Sequence, residues 1–316
     1  MFSKALFVDF NQADVPALVL DRLKQLVSAY EFVSSDELKN PGVLATADII
    51  FCRIFTKIDK STIDAAPNLK YIGVLATSFD KIDIEYTKQK GIVVCNLGGY
   101  STEAVAEFVF AILFEHIRDL ERAKQQARSG DYSFDKFMGG ELKGKTLGVI
   151  GAGRIGSRVA EIGLGIGMKV IYFDRNDKPA INQLGAVRKE LDEVLVQSDV
   201  ISLNLALNDQ TERIITRDKI NLLKPGCILV NTAPSKLTDM EAIVDMAEKG
   251  EIVCILDHSD SMDAESAEAL LKTPNVVVYP PIGFRTKEAD VARWEAFISN
   301  VEQFAAGHPQ NVVNLQ

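Results

Sequence analysis

Short apolar runs bounded by polar residues recur along this chain, separated by longer segments with helical spacing. That is the pattern left by βα units stacked into a parallel sheet. The fold class is therefore α/β, built on parallel sheets. Lys4–Phe10, Ile49–Cys52, Tyr71–Val74 and Ile92–Asn96 read as strands in the first part, with Val15–Ala29 and Ser61–Ala66 as helices between them. A second series starts at Lys145, with strands expected at Thr146–Ile150, Lys169–Phe173, Val200–Asn204, Cys227–Asn231, Val253–Leu256 and Val276–Tyr279. A closing helix is expected from Lys287 to Ala306. With 316 residues and ~100–200 residues per domain, about two domains are expected.

Between the two series lies Thr102–Gly130, where Val105, Phe108, Val109, Ile112 and Leu113 mark one helical face and Phe110, Ala111 and Phe114 extend it to the other side. A helix apolar nearly all round must be covered on both flanks, so it is expected to bridge two domains or to build a subunit contact. The stretch Ser129–Gly144, carrying Tyr132, Phe134 and Phe137, follows as a loop or arm.

Strand Thr146–Ile150 runs into Gly151-Ala152-Gly153-Arg154-Ile155-Gly156, then a helix, then a second strand ending at Asp174. The three glycines serve different ends, namely a tight turn, backbone access to a pyrophosphate, and close contact of helix on strand. The open N–H groups and positive dipole end of the helix favour phosphates. Asp174 would accept from ribose hydroxyls and repel a 2′-phosphate, so NAD(H) is expected in preference to NADP(H). Arg175 beside it could receive a 2′-phosphate, which tempers that preference.

Composition removes several classes of partner. Basic residues number 35 against 44 acidic, a net charge of −9, so a nucleic-acid polyanion would be repelled. No run approaches ~18 apolar residues, so no membrane span is expected. Cys52, Cys95, Cys227 and Cys254 show no CxxC pair and no His-linked metal spacing, and are expected to be reduced, buried thiols. The opening MFSKALFVDF lacks a long apolar region and a cleavage site, and a cytoplasmic protein is expected.

Further motifs accompany the glycine turn. Asn68-Leu69-Lys70 through Asp80-Lys81-Ile82-Asp83, Gly91-Ile92-Val93-Val94-Cys95-Asn96 and Tyr100 to Glu107 stand in the first series. Leu142 to Gly148, Gly167-Met168-Lys169-Val170, Ser198-Asp199-Val200, Lys224-Pro225-Gly226 and Asn231-Thr232-Ala233 stand in the second. Together these motifs resemble those of the D-isomer-specific 2-hydroxyacid dehydrogenases. The resemblance implies two doubly wound, Rossmann-like parallel-sheet domains: a discontinuous, flavodoxin-like substrate domain of residues 1–101 plus 285–316, closed by the C-terminal helix, and an NAD-binding Rossmann domain of residues 102–284. It implies a homodimer and a small-molecule substrate. It also places Gly151, Gly153, Arg154, Ile155, Gly156, Asp174, Thr232 and Asp257 at the cofactor, and the backbone around Ala76, Thr77, Ser78 and Phe79 at the substrate.

Reduction of a 2-oxo acid needs a proton for the developing alkoxide and a clamp for the carboxylate. The resemblance implies an Arg for the clamp, a His for the proton and a Glu that keeps the His charged. Here the Arg falls on Pro234, the Glu on Met262 and the His on Pro281. Only His116, His258 and His308 occur in the chain; His116 lies on the bridging helix and His308 in the tail. Asn204 and Ala206 also replace a usual His and Pro, and Ala76-Thr77-Ser78 replaces a glycine-rich turn. The candidate substitutes are His258, tuned by burial or Asp260, then Tyr279 and Lys236, with Arg285 and Arg53 as further candidates for binding an anion; Asp260 and Asp263 read as loop decoration. Three functions remain open: an NAD-dependent oxidoreductase with an altered site and a non-standard substrate, a catalytically silent NAD(H)-responsive binding protein, and an active D-2-hydroxyacid dehydrogenase using substitute residues.

Overall fold

The computed structural model describes residues 1–257 and 264–314. Two compact units emerge, one formed by Met1–Ser101 with Lys287–Gln316, the other by Thr102–Thr286. The sheet of the first unit contains β1 (Phe2–Val8), β2 (Val27–Val33), β3 (Ile49–Cys52), β4 (Tyr71–Val74) and β5 (Val93–Cys95), in the order β2-β1-β3-β4-β5. That of the second contains β6 (Thr146–Ile150), β7 (Lys169–Phe173), β8 (Val187–Arg188), β9 (Val200–Leu203), β10 (Cys227–Asn231), β11 (Ile252–Leu256) and β12 (Val276–Val278), in the order β12-β11-β10-β9-β6-β7-β8. Every pairing between these strands is parallel. In each sheet the order reverses next to the first strand, which leaves a crevice at the carboxyl ends where such sheets take ligands.

The central strands are continuous apolar runs because both faces are covered. Ile49–Cys52, Tyr71–Val74 and Val200–Leu203 are buried at every residue, as parallel strands under helices require. In the first unit the closing helix Lys287–Ala305 inserts Trp294, Phe297, Ile298 and Val301 against Phe7, Phe51 and Tyr71. The residues beyond it return to β5: Val313 N–H donates to Val94 O, and the Asn314 side chain accepts from Val94 N–H and donates to Ile92 O and Thr87 Oγ1.

Two sequence expectations are corrected here. Val15–Ala29 is not one helix: the helix covers Ala17–Leu23, and the edge strand β2 begins at Val27. Its Ser28, Ala29 and Glu31 are exposed, so its alternation differs from the solid apolar runs at the centre. The span Thr102–Gly130 is likewise two helices, Thr102–Arg118 and Leu120–Arg128, broken at Asp119, whose φ of 51° places it in the left-handed region. Short polar side chains adopt that region more readily than most. The first of these helices buries Val105, Val109, Phe110, Ile112 and Leu113, whereas Phe114 stays exposed. It packs within the second unit, against the helix Arg154–Gly165 and strand β6. Among the described residues, no helix is long and apolar enough to cross a membrane, and no cluster of His, Cys, Asp and Glu could hold a metal ion.

Candidate cofactor and substrate site

The turn after β6 gives each of its three glycines a distinct physical reason. Gly151 has φ +90°, and its N–H donates to Phe173 O at 2.8 Å, so the chain turns there while still held to β7. A Cβ on it would meet Leu205 Cδ2 at 2.8 Å and the Asn204 carbonyl at 3.0 Å. A Cβ on Gly156 would overlap the carbonyl oxygen of Gly151, so the helix sits on the turn with no room for a side chain. Gly153 is the opposite case: among the described residues, nothing beyond its own chain neighbours lies within 4 Å of a Cβ built there. It precedes the helix Arg154–Gly165, whose N-terminus no side chain caps. The first N–H groups of that helix, including those of Arg154, Ile155 and Gly156, have no partner within it. Two crowded glycines thus flank an open one, forming a cradle that a Cβ would fill. This arrangement fits the pyrophosphate of a dinucleotide cofactor.

Asp174 follows β7 in the adjacent strand position, with a side chain 16% exposed. Its Oδ1 accepts from Asn176 N–H at 3.0 Å and lies 3.3 Å from Lys178 Nζ. The cofactor positions read from the sequence, Gly151, Gly153, Arg154, Ile155, Gly156 and Asp174, therefore lie along the carboxyl edge formed by β6 and β7.

Further along that edge, three neighbouring strands deliver the positions expected at the reactive end. Thr232, half-buried, and Pro234 follow β10; Asp257, buried, follows β11; Tyr279 and Pro281 follow β12. Asn231 is buried, its Oδ1 accepting from Ala233 N–H at 2.9 Å, while its Nδ2 finds no hydrogen-bond partner among the described residues. Such an orphan costs ~1–3 kcal/mol unless a ligand satisfies it. Gly283 closes over Asp257: a Cβ there would come within 2.8 Å of Asp257 Oδ2 and 2.9 Å of Phe108 Cδ1. Pro234 leads into the 3-10 turn Ser235–Leu237 and carries no titratable group.

The substitutes fare unevenly. The Tyr279 hydroxyl donates to the Glu115 carboxylate, and its ring packs edge-on against Phe108 at 5.9 Å. Burial, then the hydrogen bond and charge of Glu115, push the phenol well above its ordinary range. It is tied to the helix Thr102–Arg118 and disinclined to release a proton. Lys236 is exposed, and its carbonyl accepts from Arg213 N–H at 2.8 Å. Arg285 is also exposed, over the Phe284 ring at 6.0 Å. His258 and Met262, with Asp260 and Asp263, lie outside the described residues. His116 is half-buried in its helix, where burial lowers its pKa, and His308 is exposed in the first unit.

In the first unit, Ala76, Thr77 and Ser78 follow β4 at the carboxyl edge of its sheet. Ala76 is buried; Thr77 Oγ1 donates to Leu97 O at 2.9 Å, and Ser78 Oγ donates to Asp80 Oδ1 at 2.6 Å. Side chains standing in place of glycines therefore brace this turn. Arg53, after the neighbouring β3, pairs with Asp14 at 3.0 Å and lies over Phe10 at 5.0 Å. Asn204 turns back on its own strand, donating to Ser202 O at 3.0 Å, and Ala206 O accepts from Thr211 Oγ1 at 2.7 Å. Sequence reasoning missed Glu115, whose link to Tyr279 spans distant segments, and Lys178, although its place four residues after Asp174 was a readable signal.

A Rossmann sheet with a phosphate cradle and an acid at the end of its second strand defines a dinucleotide-binding dehydrogenase class. The sequence model described as "D-isomer specific 2-hydroxyacid dehydrogenase, NAD binding domain" matches residues 110–283. The glyoxylate reductase of Thermococcus litoralis is 35% identical over 307 residues, covering 92% of this chain and 93% of that protein. D-Lactate dehydrogenase from Aquifex aeolicus, solved with NAD and lactic acid, superposes with a TM-score of 0.87 at 30% identity, covering 99% of each chain. An acyclic imino acid reductase solved with NADPH and D-Arg gives 0.85 at 30% identity, covering 98% of this chain and 99% of its own. This chain belongs to the D-isomer-specific 2-hydroxyacid dehydrogenase family.

Proposed function

We propose that this chain binds NAD(H), in preference to NADP(H), and acts as an oxidoreductase on a small molecule other than a simple 2-oxo acid. The observation that carries the reading is the complete cradle at Gly151, Gly153 and Gly156 on the same sheet edge as prolines 234 and 281. When bound, the nicotinamide supplies or accepts hydride. The chain's own contribution is to seat the pyrophosphate on the open backbone at Gly153 and to hold the ribose with Asp174. At the reactive end it offers the amide of Asn231 and the carboxylate of Asp257, both buried. Neither Pro234 nor Pro281 can grip a carboxylate or give a proton, and Met262 cannot polarise an imidazole. Loss of a positioned acid alone costs ~10²–10⁴ in rate for a ketone. Tyr279, engaged with Glu115, is a poor replacement, which leaves His258 and Lys236 as the side chains to test. We read the working molecule as a cytoplasmic homodimer; the buried reduced thiols support the first point and the family resemblance supports the second.

The test is to measure NADH binding and then NADH oxidation at 340 nm with glyoxylate, pyruvate and hydroxypyruvate. Binding with oxidation at least ~10²-fold below that of the Thermococcus litoralis enzyme is expected. Ordinary turnover would refute the altered site, and His258→Ala would then identify the acid. Binding with no turnover on any carbonyl compound would favour the silent, NAD(H)-responsive reading. Failure to bind either form of NAD would remove the proposal.

A further inference from the structure

The ribose end of the cradle is not simply acidic. Asp174 is followed by three cations arranged around one turn. Lys178 Nζ lies 3.3 Å from Asp174 Oδ1. Arg188, on β8, donates from Nε to Asp174 O at 3.1 Å and from Nη2 to Arg175 O at 3.0 Å. The exposed Arg175 reaches sideways to Gln210 Oε1 at 2.9 Å. The other acid of the turn, Asp177, is directed elsewhere: its Oδ1 accepts from Tyr172 Oη at 3.0 Å and Asn182 Nδ2 at 2.8 Å. Lys189, next along the chain, is paired with Glu193. The carboxylate that should repel a 2′-phosphate therefore has its own counter-ion, and two guanidinium groups hold or flank the same turn.

The geometry points to Lys178 as the side chain that sets cofactor preference: by neutralising Asp174, and by turning to a 2′-phosphate when one is present, it admits NADPH alongside NADH. The inference rests on the cofactor reading above. Asp174 keeps NADH the better ligand through its ribose hydrogen bonds, and Lys178 limits that advantage to about tenfold. A charge-assisted hydrogen bond of ordinary strength corresponds to ~10–100-fold in affinity, so loss of the ammonium should be plainly visible.

Dissociation constants for NADH and NADPH should be measured by fluorescence titration for the wild type, Lys178→Met and Lys178→Arg, with melting temperatures recorded alongside. The wild type should bind NADPH within about tenfold of NADH. Lys178→Met should weaken NADPH by at least ~10-fold more than it changes NADH, and Lys178→Arg should restore NADPH. The NADPH arm should also weaken more steeply with added KCl, because it contains one more ionic contact. If Lys178→Met shifts both dinucleotides equally, or neither, or if the wild type binds NADH and excludes NADPH, the inference is wrong while the cofactor reading stands. If the wild type binds neither, both fall.

Discussion

Alanine substitutions at Gly153 and Gly156 separate binding from folding within a single turn. At Gly156 the added methyl overlaps the Gly151 carbonyl oxygen and comes within 3.1 Å of Val149 Cγ1. Backbone cannot swing aside as a flexible side chain would, so the cost falls near the top of the ~1–3 kcal/mol range for overpacking. Alanine regains about 1 kcal/mol of helix propensity over glycine, leaving a net loss of about 2 kcal/mol. In a unit of this size that lowers the melting temperature by roughly 4–8 °C. At Gly153 the backbone has φ −73° and ψ −156°, an extended conformation open to alanine, with space around the new methyl. Stability should change by no more than ~0.5 kcal/mol. That methyl would nevertheless stand where the pyrophosphate must approach, so the NADH dissociation constant should rise at least ~100-fold, or about 2.7 kcal/mol. Thermal unfolding by circular dichroism and NADH fluorescence titration read the two effects independently. A Gly153→Ala protein that melts normally and binds NADH within about threefold of wild type would refute the placement of the cofactor.

Two further outcomes follow from titratable groups. Burial pushes the Cys52, Cys227 and Cys254 thiols up to about 12 and Cys95 up to about 11; none should react with a thiol reagent at about pH 8 before unfolding, and fast labelling of the native protein would contradict the structure. Tyr279 is raised above its unfolded value of ~10, so its stabilising contribution is complete below pH ~10 and is lost as pH rises above that, through the folded value. Tyr279→Phe should therefore flatten part of the alkaline stability loss in denaturant titrations, and an unchanged profile would show that burial and the bond to Glu115 do not hold the phenol protonated.

The parts of the fold legible in the sequence are those where burial leaves no ambiguity. Ile49–Cys52, Tyr71–Val74, Thr146–Ile150, Lys169–Phe173 and Cys227–Asn231 form strands over the residues their apolar runs mark. Edge positions are less readable: β2 carries exposed residues in its interior, and β8 has two residues, both exposed. Neither offers a hydrophobic period to detect. The helix break at Asp119 is a backbone decision that a single residue type only weakly announces. At the site, the glycine roles could be assigned from spacing because each answers a local steric demand. The bond from Tyr279 to Glu115, and the orphaned amide of Asn231, depend on which segments the sheet order brings side by side.

The C-terminal helix and the Asn314 anchor have a consequence for biogenesis. The first unit draws Trp294, Phe297 and Val301 into its core, and Asn314 satisfies backbone groups of Ile92 and Val94. Trp294, Phe297, Val301 and Asn314 emerge from the ribosome after the entire Rossmann unit has been made. During synthesis the amino-terminal strands must therefore wait, with an apolar face uncovered, while the later-made unit is free to fold ahead of them, a reversal of the usual order of domain completion. That interval is where a nascent chain of this design would need shielding by chaperones.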